Sequence, residues 1–491
     1  MLSLLVPSEA EILRSFFREA GYTESGLEKT LGGNYPPSPQ LRTNARLLHL
    51  TREPAPLSLL ARWFLLGGAV PAALARRTLP KPVVDACLRC GLLIHEGDDL
   101  RATAVIASLG ELLVASDSFQ QLASPLGRDH VLGLNLTAKY LLDFTIRRPV
   151  GDLLDLCSGS GIQGLAAARQ AERVVCADLS VRALAYAAFN ARLNGFENLT
   201  CVAGDRFAAV AGQRFDHIVC NPPFVLAPAA EFVFRDNPLP LDAFVEGLAR
   251  EAPGHLNPGG YFQMICEWVE VEGESWQERL GRWFEGNGCD VWVLKDYSQD
   301  PSLYAQMRLR ENLPASEARD EETFGHWMDY YAAHRVVAVH GGLVAMRRRD
   351  GANWLRIDEI AQSYGKDLGN AILAGFEARD FLAAHEDDEA LLGTTPGLAP
   401  DCRLHQEHRR AEGGWQPQPL RLEQREGLRR GLNLDPNVAM FLSRFDGRRT
   451  VRETLAELAA EADAEPAQVQ TEVLQVIRRM IDLGFLLAPH P

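Results

Sequence analysis

Between residues 121 and 349, short continuous apolar runs alternate with segments of helical period. The runs fall at Leu153–Leu156, Val174–Ala177, Leu199–Val202, Ile218–Cys220, Tyr261–Cys266, Val291–Leu294 and Val336–Met346. Amphipathic stretches such as Val181–Leu193 and Leu241–His255 lie between them. Strands that are apolar on both faces belong in a parallel sheet covered by helices. The pattern therefore predicts an α/β domain over 121–349 with a doubly wound, seven-stranded, mostly parallel sheet. The last run contains Gly341-Gly342 and is long for one strand, so it reads as a hairpin or an antiparallel edge pair.

The flanks have other periods. Residues 1–120 read as mostly helical. Within them LPKPVVDACLRCGLLIHEGDDLRAT predicts a helix ending at Gly91, a strand over Leu92–His95, a tight turn and a second strand. Helices followed by a small β-wing give a winged-helix outline. Residues 350–491 form a third region. Residues 350–385 read as helical or mixed, 386–400 as acidic and then turn-rich, and 411–419 (AEGGWQPQP) as linker or loop. Near the end, Thr450 and Glu453 have capping-box spacing at the head of a helix. A second helix stops near Gly484 before a short apolar strand, again winged-helix-like.

Composition changes this picture little. No apolar run reaches transmembrane length. The start, MLSLLVPSEAEILRSFF, carries Glu9 and Glu11 where a signal peptide needs an unbroken apolar stretch. A cytoplasmic protein without membrane contact is expected. Five of the nine cysteines (Cys157, Cys176, Cys201, Cys220 and Cys266) lie in or beside apolar runs, as buried thiols do in a reducing compartment. Cys87 and Cys90 form a lone CxxC with no second ligand pair at zinc spacing, so they read as packed helix residues and no metal is expected. The net charge of −15 is a poor overall match to a polyanion. One exception is Arg403–Arg452, where eleven arginines meet six acids.

The chemistry concentrates in the central domain. DLCSGSGIQG at 155–164 places Gly159, Gly161 and Gly164 between the strand LLDL and the helix IQGLAAARQ, the setting that a glycine-rich nucleotide turn requires. Asp178 ends the next strand, nineteen residues after Gly159, where an acid can meet ribose hydroxyls. A dinucleotide would be served equally well by this much. Asp155 within the first strand suits a ligand with cationic parts instead. Asp205, after Gly204, closes the third strand in reach of an adenine amine, and NPPF at 221–224 closes the fourth.

Residues 130–300 resemble the class I S-adenosylmethionine-dependent methyltransferases, a Rossmann-like family. They are most similar to the branch with (D/N/S)PP(Y/F/W) after strand four, which acts on glutamine-N5, adenine-N6 or guanine-N2. The resemblance implies S-adenosylmethionine as cofactor. Gly159 and Gly161 would contact its backbone-facing side, Asp178 the ribose and Asp205 the adenine. Cys157, Ser158, Leu179 and Arg206 flank these positions. The family often has DxGxGxG; here Cys157 and Ser158 precede the glycines and Ile162 replaces the third.

Amide and aryl-amine nitrogens are weak nucleophiles because their lone pairs are delocalised. Asn221 can accept one N–H through its side-chain oxygen, and the Pro222 carbonyl can accept the other. Pro222 and Pro223 stiffen the loop, and Phe224 offers a flat face for stacking. His130 is a further candidate for the pocket wall, Arg235 and Asp236 for substrate contacts, and Thr137 for a cofactor contact. The expected substrate is a protein glutamine of the release-factor kind. Alternatives are a nucleic-acid base, a small-molecule amine, or a non-catalytic cofactor-binding scaffold.

Overall fold

In the computed structural model of the chain, the described residues are 2–33, 35, 45–117, 127–310, 317–360, 365–461, 463 and 465–489. Contacts group the chain into two compact units: residues 1–142 with 148–358, and residues 143–147 with 359–491.

The first unit holds a sheet of eight strands: β1 (Val150–Leu156), β2 (Ala171–Asp178), β3 (Leu199–Ala203), β4 (Phe215–Cys220), β5 (Leu256–Val271), β6 (Cys289–Gln299), β7 (Val336–Arg348) and β8 (Leu355–Glu359). Their hydrogen-bonded order is 3-2-1-4-5-7-6-8. Strands β1 to β5 run parallel, and β7 is antiparallel to both β5 and β6. The chain steps outward from β1 to β3 on one side and resumes at β4 on the other. That reversal leaves a crevice at the carboxyl ends of β1 and β4, the place where open α/β sheets take ligands. Helices α1 (Leu136–Phe144), α2 (Ile162–Ala167), α3 (Val181–Asn194) and α4 (Ala243–Glu251) surround it.

Two details differ from the hydropathy reading. The sheet has eight strands rather than seven. The extra one, β8, alternates polar and apolar residues and is fixed at the edge by its polar side chains. Arg356 lies 4.7 Å over the Trp292 ring, and Trp292 Nε1 donates to Asp358 at 3.1 Å. The run at Val336–Met346 is neither a hairpin nor an edge pair but part of one interior strand of 13 residues. Its glycines make room instead of making a turn. A Cβ on Gly341 would fall 2.3 Å from the Tyr297 ring, and one on Gly342 would fall 2.1 Å from the Leu294 carbonyl oxygen. Strand β6 shifts register between Lys295 and Tyr297, and that bulge presses against the glycine pair.

The N-terminal segment packs helices Pro56–Phe64, Ala72–Thr78 and Lys81–Arg89 with a three-stranded sheet of Val70–Pro71, Asp99–Ala102 and Leu93–Glu96. Cys87 and Cys90 are buried in its core. That core is continuous with one face of α3 through Tyr186, Phe189 and Leu193. Asn190 and Asn194, one helical turn apart, complete the edge strand Leu112–Ser116. Asn190 accepts from the Ala115 N–H (2.7 Å) and donates to the Ala115 and Ser160 carbonyls (2.9 Å each). Asn194 pairs with Leu113 in the same way at 2.9 and 2.7 Å. Asn190 thus ties the N-terminal segment to the glycine turn. Asn190→Leu should strand three buried main-chain groups, each costing about 1–3 kcal/mol. Thermal melts should show a loss of about 10 °C or more; an unchanged melting temperature would contradict the assignment.

The second unit contains helices Leu368–Ala384, Val451–Glu461 and Pro466–Asp482 around a small core of its own. The capping box is present: Thr450 Oγ1 accepts from Glu453 N–H at 3.2 Å, and the Glu453 carboxylate accepts from Thr450 N–H at 2.8 Å. Residues 411–419 are not a linker. Gly414–Pro417 is a strand paired with His408–Ala411. The turn is tight because Gly413 and Gly414 take φ of 102° and 131°. Among the described residues no helix is long and apolar enough to cross a membrane.

Candidate active site

The turn after β1 is built by left-handed residues. Cys157, Gly159 and Gly161 have φ of 58°, 53° and 81°. Side chains at two of the glycines would collide with the sheet and α3. A Cβ on Gly161 would meet the Ala187 Cβ at 3.0 Å, and one on Gly164 would meet the Cys176 sulfur at 2.7 Å. The turn is held from below by two carboxylates. Asp155 accepts from Gly164 N–H, and Asp178 accepts from Gly159 N–H and Ser180 N–H, all at 2.8 Å. Ser180 in turn caps α3 by accepting from Ala183 N–H at 3.2 Å.

Burial pushes both carboxyls up, Asp155 well above the usual carboxylate range. For Asp155 folding therefore favours the protonated form. Its stabilising share is whole below the ordinary carboxylate range and is lost as pH climbs through the raised value. Asp155→Asn keeps an acceptor for Gly164 without that loss. Its melting temperature relative to the parent should climb as pH rises above the ordinary carboxylate range. Calorimetry showing a constant difference would count against the buried carboxyl.

These segments open into one cavity of about 240 Å³. Asp155, Cys157, Ser158, Gly159, Asp178, Leu179, Asp205, Arg206, Asn221 and Pro223 all line it. Gly161, Pro222 and Phe224 do not line it, nor does Thr137, which lies in sequence between the lining residues Asn135 and Ala138. Two buried polar atoms in the wall, Ser158 Oγ and Gln163 Oε1, have no partner among the described residues. Groups so placed are satisfied by a ligand that brings its own donors and acceptors. The exposed carboxylate of Asp205 adds an acceptor at the end of β3. The cavity fits an adenosyl cofactor on these observations.

Another part of the wall is a loop in which the sequence singles out Arg235 and Asp236 but not Phe234. Phe234 lines the cavity with its ring 5.7 Å from that of His130, and Val233 N–H donates to the Arg128 carbonyl at 3.1 Å. Asp236, 2% exposed, accepts from Glu231 and Phe232 N–H at 2.9 Å and pairs with Arg235 at 2.6 Å. Both candidate substrate contacts thus also brace the loop. Asp117 braces the neighbouring wall segment at Val131. It accepts from Val131 N–H and Tyr186 O–H at 2.8 Å and pairs with Arg182. Burial alone would raise its carboxyl, but these donors hold it below the usual range.

Asn221 follows β4, and its side chain is bonded to no protein group among the described residues. The chain just beyond it is clamped. Leu226 N–H donates to Tyr304 Oη at 3.1 Å, and Tyr331 O–H donates to the Leu226 carbonyl at 2.9 Å. Tyr304, Tyr297 and Arg308 converge on Glu267, which is 1% exposed. Arg308 also lies 5.9 Å from the Phe224 ring.

Residues 133–270 match the family model described as "Methyltransferase small domain". The central domain is of the class I methyltransferase type. Residues 19–103 and 373–488 match two further models, each described as a domain of unknown function (DUF7059 and DUF7782). The chain is 34% identical over 139 residues to a release factor glutamine methyltransferase of Xylella fastidiosa strain Temecula1, covering 26% of this chain and 50% of that protein. It is 38% identical over 128 residues to a ribosomal protein uL3 glutamine methyltransferase of Bradyrhizobium diazoefficiens, covering 23% and 40%. It is also 30% identical over 192 residues to ribosomal RNA small subunit methyltransferase C of Shigella boydii serotype 4, covering 38% and 51%. The chain spans about half the length of these curated relatives, or less. The methyltransferase domain carries extra structure that sequence reasoning did not assign to the site. Gln163 was hidden because it sits in an ordinary helix start, and Asp117 because its partners lie 14 or more residues away in sequence.

Proposed function

We propose that this chain methylates the side-chain amide nitrogen of a protein glutamine, with S-adenosylmethionine as donor. The observation that carries this reading is the position of Asn221, which shares one cavity with the glycine turn and has its side-chain amide unengaged. Asp178 would hold the ribose hydroxyls, Asp205 the adenine amine, and Ser158 and Gln163 the remaining polar groups of the cofactor. When bound, the cofactor supplies an electrophilic methyl carbon.

The protein's part is positioning. The Asn221 side-chain oxygen, which lines the cavity, accepts an N–H of the acceptor amide. That weakens delocalisation of the nitrogen lone pair and aims it. The prolines and the Leu226 clamp keep that acceptor in place, and the proton leaves to Asn221 or water. Phe224, braced by Arg308, stiffens the loop from behind. The flanking segments 1–120 and 350–491 would dock the macromolecule, in the cytoplasm.

A second reading, an exocyclic amine of a purine base, is favoured by the relative of the ribosomal RNA type and by the arginine-rich segment after Arg403. Incubation of the purified chain with methyl-labelled cofactor and a cell lysate separates the two. Label released by protease supports the glutamine reading, and label released by nuclease replaces it with the base reading.

A further inference from the structure

The second unit carries a β-arm that no catalytic role absorbs. Its base is the pair Cys402–His405 and Leu420–Gln424, and its tip is the pair His408–Ala411 and Gly414–Pro417. The Gln418 N–H donates to the Glu407 carbonyl at 2.7 Å and joins base to tip. Among the described residues the two tip strands pair only with each other. Register sets the faces. Arg410 lies opposite Trp415, and His408 opposite Pro417, so these four share one side, while Arg409 and Gln416 share the other.

Three properties of the tip are at odds with a role in folding. Trp415 is 71% exposed, so its large apolar ring stabilises nothing in this unit. Arg409 and Arg410 are exposed, and among the described residues neither has a carboxylate within ion-pair distance. Some arginines elsewhere in this unit are matched, Arg444 with Glu461, Arg449 with Glu457 and Arg452 with Glu389, whereas Arg409 and Arg410 sit together on the tip beside an exposed indole. The charge is also out of keeping with the chain. Residues 403–430 hold seven arginines and four glutamates, in a protein whose acids outnumber its lysines and arginines 65 to 50. An isolated two-stranded ribbon is marginal in water, so an exposed aromatic and unmatched guanidinium groups on it gain only when something covers them.

We propose that this arm binds single-stranded RNA, with Arg409 and Arg410 on phosphates and Trp415 stacked on an unpaired base. Guanidinium groups suit phosphates in charge and geometry. A free indole face suits a splayed base, which RNA loops offer and duplexes do not. An acidic peptide would satisfy the arginines and leave the indole uncovered. The inference does not depend on which nitrogen is methylated.

The test uses the full chain without cofactor and a fluorescein-labelled single-stranded RNA of mixed sequence, followed by anisotropy over a salt series. Arg409→Glu with Arg410→Glu should weaken binding about tenfold or more and flatten the salt dependence by about one power of salt concentration. Trp415→Ala should also weaken it about tenfold but leave the salt slope unchanged. Both changes lie on an exposed arm, and unaltered melting temperatures confirm intact folding. No binding by the parent at low salt, equal binding by parent and variants, or tighter binding to a duplex of the same length would each overturn the proposal.

Discussion

Asn221→Ala should reduce methyl transfer by ~10³-fold or more while changing cofactor affinity by less than about threefold. The expectation follows from the division of labour around the cavity. The groups proposed to hold the cofactor sit on the turns after β1, β2 and β3, whereas Asn221 lines the cavity after β4 beside Pro223. Its side chain supports no other part of the fold among the described residues, so its removal should leave stability nearly intact. Transfer is followed with labelled cofactor and lysate acceptor, and affinity by calorimetry with S-adenosylhomocysteine. A variant that keeps its transfer rate would remove Asn221 from the mechanism. A variant that loses cofactor affinity in proportion would make it a binding residue instead.

Asp178→Ala should have the complementary signature, a cofactor affinity lower by about 100-fold, or about 2.7 kcal/mol. The carboxylate accepts two main-chain N–H groups, from Gly159 and Ser180, so the change loosens the glycine turn and the entry to α3 together. Loss of the acceptor for ribose hydroxyls adds to that. Asp178→Asn should lose less, because an amide oxygen can still accept from Gly159. Titration with S-adenosylhomocysteine decides between them; equal affinity for parent and Ala variant would take Asp178 out of the cofactor site.

Much of the central domain was legible because continuous apolar strands and the glycine turn are local signals. Gly159, Asp178, Asp205 and Asn221 each lie at or just past the end of a strand, and parallel strands deliver their ends to the same edge. What escaped depended on contacts between distant residues. The pair Gly341-Gly342 mimics a turn, and only the bulge at Tyr297 shows why a straight strand needs it. Strand β8 is polar on alternate positions and pairs at an edge, so it carries no continuous apolar run. The segment 411–419 is rich in glycine and proline, which usually mark loops, yet Gly413 and Gly414 form the turn of a hairpin and Pro417 ends its strand. The Glu267 cluster and the Asp117 brace join residues far apart in sequence, and no spacing announces either.

The central claim is that donor and acceptor meet in the hollow between the glycine turn and Asn221. A crystal structure of the chain with S-adenosylhomocysteine tests it most directly. The account predicts ribose hydroxyls on Asp178, the adenine beside Asp205, and the sulfur facing Asn221 across a gap just wide enough for a methyl group and an acceptor nitrogen. A nucleoside bound elsewhere, or lying in the hollow with its sulfur turned away from Asn221, would contradict it.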